Sequence, residues 1–111
     1  MPSRHRPLPV RMTPAAVEDL EVAFAYVEER NRRAAHELLS QFRETLSQLG
    51  EFPQIGAPLS PQEFELLEPG VRLVVVQPYV VFYRMRSDEV VVLRILHARR
   101  DSLGELLGDR D

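Results

Sequence analysis

His97, Arg99, Arg100 and Asp101 stand within five positions at the end of the run "LRILHARRD", which begins as an apolar strand at Leu93. These side chains offer two kinds of chemistry. An imidazole titrates near neutral pH and serves as a general acid or base, whereas guanidiniums grip phosphate or carboxylate through fixed forks of donors. Acid-base work on an RNA hydroxyl also needs a second acid or base, cations for the phosphate and a route for the substrate. All 14 basic residues are arginine, lysine is absent, and no Phe, Tyr or Trp follows Tyr83. These residues alone leave three readings of the cluster open: an active site, a docking surface, or the solvated end of a strand.

The elements that must position this cluster follow from apolar spacing. "RPLPVRMTP" reads as a short strand around Val10 and Met12 that starts late or lies at an edge, because Pro7 and Pro9 cannot donate ladder bonds. Thr13 fits a helix N-cap and Pro14 the first helical position. Ala16, Val17, Leu20, Ala23, Phe24 and Val27 then fall on one face of a helix ending near Arg30. The acidic residues Glu18, Asp19, Glu21, Glu28 and Glu29 read as a solvated face. Asn31 caps a second helix with a stripe of Ala35, Leu38, Leu39, Phe42, Leu46 and Leu49, and Gly50 supplies its stop. So short a joint predicts an antiparallel helical hairpin.

"EFPQIGAPLSPQEFELLEPG" carries four prolines and two glycines and predicts an ordered loop, with Phe52, Ile55 and Leu59 pinning it down. Three strands follow, Val71 to Gln77, Tyr79 to Arg86 and Glu89 to His97, divided by breaks short enough for hairpins. In the third, alternation puts Val91, Leu93, Ile95 and His97 on one face, expected to pack on the helices, and Val90, Val92, Arg94 and Leu96 on the other. The hairpin hides only one face of such a sheet, so the second is expected to remain a half-exposed apolar surface. The tail after Ala98 allows one weak helical turn around Glu105 to Leu107.

At 111 residues the chain predicts one α+β domain, 1–111, with a flexible N-terminus over 1–9 and a charged tail over 98–111. There is no cysteine, and His5, His36 and His97 are scattered, so neither a disulfide framework, a metal site nor a cofactor is expected. No apolar run reaches membrane length or forms a signal peptide, which points to the cytoplasm. A net charge of −3 argues against a general nucleic-acid binder.

The order of strand, helical hairpin, proline-rich loop, three-stranded antiparallel meander and charged tail resembles the ParE branch of the ParE/RelE superfamily of bacterial toxins. The motifs that carry the resemblance are "TPAAVEDLEVAFAYV", "EFPQIGAPL", "GVR", "YVVFYR" and "ILHARRD", spread from about Val10 to Leu107. It implies the toxin of a type II toxin-antitoxin pair, neutralised by a ParD-like ribbon-helix-helix antitoxin and directed at DNA gyrase. It also implies that Arg72 stands where the superfamily's ribonucleases place a phosphate-contacting arginine; an ion pair with nearby acids is the plainer role for that side chain. The superfamily's ribosome-dependent nucleases supply acid-base groups and phosphate cations through lysines, arginines and a late aromatic residue in the tail; with no lysine and no aromatic after Tyr83, the resemblance implies a docking surface at the strand terminus, with Arg99 and Arg100 as contacts, His97 setting geometry, and no catalytic residue. Arg72, Tyr83, Arg84, His97, Arg99 and Arg100 are the expected contacts with target or antitoxin. For Tyr79 and Tyr83 the plainer role is a buried ring with a wetted hydroxyl. Two other readings stand beside this one: a RelE-like ribosome-dependent endoribonuclease using Arg72, Arg84, His97 and Arg99, and a degenerate antitoxin-binding module without toxicity.

Overall fold

The computed structural model describes residues 6–59 and 69–101; the helical turn expected near Glu105 lies outside them. Thr13 Oγ1 accepts the Ala16 N–H at 3.0 Å, and Pro14 opens α1 (Pro14–Glu28). Asn31 Oδ1 accepts the Ala34 N–H at 3.0 Å and opens α2 (Arg32–Glu51). Gly50 does not stop α2, which runs on through it. A Cβ at Gly50 would lie 2.7 Å from the Leu8 carbonyl oxygen, and the Leu8 N–H donates to the Gly50 carbonyl at 2.8 Å. This glycine serves a close approach between segments, not a cap.

Five strands, β1 (Val10–Met12), β2 (Ala57–Pro58), β3 (Arg72–Val76), β4 (Tyr79–Arg86) and β5 (Glu89–His97), form one sheet in the order β1-β5-β4-β3-β2. The meander of β3, β4 and β5 is antiparallel as expected. The sheet as a whole is mixed. β1 lies parallel to β5, with Val10 opposite Val90, and the two-residue β2, read as loop in the sequence, pairs with β3. At the outer edge of β1 and β5, Arg11 donates to Glu89 at 2.8 Å.

The expected alternation of β5 fails at one place. Tyr83 pairs with Val92 but Phe82 pairs with Arg94, so Leu93 is an extra residue and the strand changes phase. Val90 and Val92 before the bulge, and Ile95 after it, all join the core beneath the helices, while Leu93 packs on the opposite face. That core takes Ala16 and Ala23 from α1, Leu38, Phe42 and Leu49 from α2, and Val76, Tyr79, Val81 and Tyr83 from β3 and β4. The outer face is half-exposed: Val71, Phe82 and Leu96 are buried there in a second cluster, Leu59, Leu73, Val80 and Leu93 are partly buried around them, and Val75 beside Val80 stands exposed.

Phe52 and Ile55 do not pin the loop, being 56% and 54% exposed. The anchor is polar. Tyr83, fully buried, accepts the Gly56 N–H on its hydroxyl and donates to the Pro53 carbonyl, both at 2.8 Å. A Cβ at Gly56 would lie 2.6 Å from that hydroxyl, so only glycine allows the contact. Of the three predicted anchors, Leu59 is the one that packs inward.

Candidate docking site

The end of β5 folds back on itself. His97 Nδ1 accepts two main-chain N–H groups, from Arg99 at 3.0 Å and Arg100 at 2.9 Å. The Asp101 carboxylate accepts the His97 main-chain N–H, and the Asp101 N–H returns to the His97 carbonyl at 3.2 Å. Two amide protons aimed at Nδ1 place the ring's own proton on Nε2. The ring meets Tyr79 edge-on, centroids 5.3 Å apart. Burial first, then the Arg100 charge, push the imidazole below its ordinary value of 6.5, against the opposite pull of Asp101.

Arg100 is engaged by two tyrosines. Its guanidinium donates to the Tyr79 hydroxyl at 3.0 Å and lies 3.7 Å from the centroid of the Tyr26 ring. Arg30, four residues after Tyr26 and just past the end of α1, lies 3.8 Å from that centroid and donates to the Tyr26 carbonyl. Two guanidiniums thus lie against the one Tyr26 ring. Tyr26, Tyr79 and Arg100 share the wall of a cavity of about 470 Å³ with Val22, Asp19 and Arg94.

Asp19 departs from the solvated role expected of α1's acidic residues. It binds both Nε and a terminal nitrogen of Arg94, at 2.7 and 3.0 Å, and accepts the Ile95 N–H at 2.9 Å. Thr13 adds an Oγ1–H donated to the Leu93 carbonyl at 2.8 Å. Where β1 ends, side chains from the start of α1 thus complete the edge of β5 and hold its last residues in position.

The predicted contact residues divide. His97, Arg99 and Arg100 come together at one end of the sheet. Arg72 and Tyr83 face the loop instead: Arg72 donates to the carbonyls of Gly56 at 2.7 Å and Gln54 at 3.2 Å, and makes no ion pair with an acid among the described residues. Tyr83 offers no surface to a partner; burial raises its phenol above the ordinary value of 10.0 even against the opposing effects of Gly56 and Arg72. Arg84 is half-buried on the outer face, opposite Val91. Arg99 is exposed, and its guanidinium makes no hydrogen bond or ion pair among the described residues. The sequence reading missed Tyr26, Arg30, Arg94 and Asp19. The four-residue spacing of Tyr26 and Arg30 was a signal for one of these contacts; the contact of Tyr26 with Arg100 depends on the packing of α1 over the end of β5.

The arrangement suits binding better than proton transfer. The Nδ1 lone pair is already shared by two amides, and the nearby carboxylate, Asp101, bonds main chain and not the ring. Among the described residues no three His, Cys, Asp or Glu side chains gather to hold a metal ion, and no helix is long and apolar enough to cross a membrane.

Residues 10–102 match the family described as the ParE toxin of the type II toxin-antitoxin system parDE. Toxin ParE3 of Caulobacter vibrioides is 34% identical over 89 residues, covering 79% of this chain and 84% of that relative. In fold, the chain resembles a structure from the chromosomal ParDE system of P. aeruginosa, with a TM-score of 0.65, 22% identity and coverage of 81% of this chain and 95% of that one. It also resembles a chain of the RelBE2 toxin-antitoxin complex from Mycobacterium tuberculosis, with a TM-score of 0.56, 24% identity and coverage of 90% and 100%. The strand, helical hairpin, loop and meander that end in the "HARRD" turn are those of a toxin, and the chain belongs to the ParE toxin family of type II toxin-antitoxin systems.

Proposed function

We propose that this chain acts by stoichiometric binding in the cytoplasm, docking on DNA gyrase through the exposed end of β5 and held in check by a ParD-like antitoxin. The observation that carries the reading is the occupied Nδ1 of His97: an imidazole whose lone pair is taken by the Arg99 and Arg100 amides is a structural joint, not a general base. It presents Arg99 outward as the contact. The ParD-like partner is supported by the parDE name of the matching family and by the ParDE system of the P. aeruginosa neighbour. Gyrase is the target that resemblance to the ParE branch implies.

The test uses one set of purified variants in a gyrase supercoiling assay and in an RNA-cleavage assay, with and without ribosomes. A charge-assisted contact contributes about 1.5 to 3 kcal/mol, so Arg99→Ala should weaken supercoiling inhibition about tenfold or more. His97→Asn keeps an acceptor where Nδ1 stands and should be mild, with RNA intact throughout. RNA cleavage by the wild type that disappears in His97→Asn would contradict the reading and support an endoribonuclease. Loss of neither supercoiling nor RNA would support a module that binds antitoxin alone.

A further inference from the structure

The bonds around His97 form a closed circuit. Its Nδ1 holds the Arg99 and Arg100 amides; Arg100 is thereby placed against the Tyr79 hydroxyl and the Tyr26 ring; Tyr79 in turn packs its ring on His97. Among these links the acceptor that titrates near neutral pH is Nδ1. A proton added there would face two N–H donors aimed at the same atom, so both bonds must break before the imidazolium can form. Asp101 is already bonded to the main chain at His97, and it tightens the turn without touching the ring nitrogen.

We infer that the His97–Asp101 turn is a latch, closed while His97 is neutral and opened by its protonation, and that its opening disorders Arg99 and Arg100 and so disarms the docking surface. This rests on the docking reading above and adds a control to it. His97 and Tyr26 are then positioning residues that act through Arg100 and Arg99.

The surroundings decide which way the latch leans. Tyr79 on β4 meets the ring, Tyr26 on α1 and Glu37 on α2 line the same cavity of about 270 Å³, and Arg99, Arg100 and Asp101 belong to the turn itself. Arg100 and Arg99 repel an imidazolium, Asp101 attracts it, and burial opposes it; the balance favours the neutral ring. The latch is therefore closed at neutral pH and opens on acidification.

When only the closed form docks, apparent affinity scales with its population, so binding falls about tenfold for each pH unit below the His97 midpoint. The test titrates the full-length wild type and His97→Asn from about pH 8 to 5. It follows gyrase affinity by titration calorimetry and the His97 ring and Arg99 and Arg100 amides by ¹⁵N NMR. The Asn Oδ1 takes the place of Nδ1 as acceptor and does not titrate. The latch predicts that the two amide signals move with the His97 ring, that wild-type affinity falls with the same midpoint, and that His97→Asn holds its affinity across the range. Amides that ignore protonation of the ring, or an identical loss of affinity in His97→Asn, would overturn it. Should gyrase fail to bind at any pH, the docking reading fails, while the ring and amide signals still decide whether the latch exists.

Discussion

Removing one oxygen atom from the core tests what holds the loop before the sheet. Tyr83→Phe keeps the ring among Phe42, Val81 and Val92 in the core but deletes a hydroxyl that accepts from Gly56 and donates to Pro53, each at 2.8 Å. The buried Gly56 N–H is left without its partner, at a cost of about 1 to 3 kcal/mol, while the half-buried Pro53 carbonyl can turn to water and contributes less. Arg72 still clamps the loop from the other side through the Gly56 and Gln54 carbonyls, which limits the damage. The net loss should be about 2 kcal/mol. With about 2.1 cal/mol/K of unfolding entropy per residue, roughly 0.23 kcal/mol/K for this chain, the melting temperature should drop by about 9 °C. Thermal unfolding followed by circular dichroism measures it, and a urea midpoint that falls without a change in slope would confirm that stability alone has moved. Because Tyr83 makes no surface, gyrase inhibition below the melting range should be unchanged. A shift under about 2 °C would refute the polar anchor; lost inhibition in a fully folded variant would restore Tyr83 as a contact.

Phe52→Ala should cost less than about 1 kcal/mol because the side chain is more than half exposed, whereas Phe42→Ala, 1% exposed in the core, should cost about 3 to 5 kcal/mol; paired urea melts compare them. Asp19→Ala removes the Arg94 ion pair and the acceptor of the Ile95 N–H, and should destabilise by about 1 to 2 kcal/mol, with faster amide exchange at Ile95 as the local sign. Stability should respond to pH at both ends. His97 is depressed in the folded state, so its contribution is complete above pH 6.5 and is lost as pH falls toward the folded value; Tyr83 is raised, so its contribution is complete below pH 10.0 and is lost above it. Urea midpoints across the range should flatten at the acid end in His97→Asn and at the alkaline end in Tyr83→Phe.

Much of the architecture was legible because local rules and tertiary packing agree. Thr13 and Asn31 cap the helices they were expected to cap, and the strand limits after Gly70 follow the β-branched runs to within a residue. What escaped the sequence depends on neighbours that no periodicity encodes. The bulge at Leu93 reverses the phase midway along the strand, so Arg94, which marked one face as polar, does not speak for Val90 and Val92 before it. Gly50 looks like a helix stop but answers to the backbone of Leu8, brought near by the fold. Phe52 and Ile55 look like anchors by composition, yet the loop is fixed by a phenol and a guanidinium on β4 and β3. At the docking site the "HARRD" cluster was visible, but Tyr26, Arg30 and Asp19 join it only through the packing of α1.

The central claim, binding without turnover, is tested most directly by titrating the purified chain against a fixed amount of gyrase, well above the dissociation constant, and reading supercoiling activity. Stoichiometric docking predicts that activity falls linearly and reaches its floor at a fixed ratio of chain to gyrase, unchanged by longer incubation, and that equimolar antitoxin restores it. Activity that keeps falling with time at substoichiometric amounts of the chain, or gyrase untouched while ribosome-bound RNA is cut, would contradict the account.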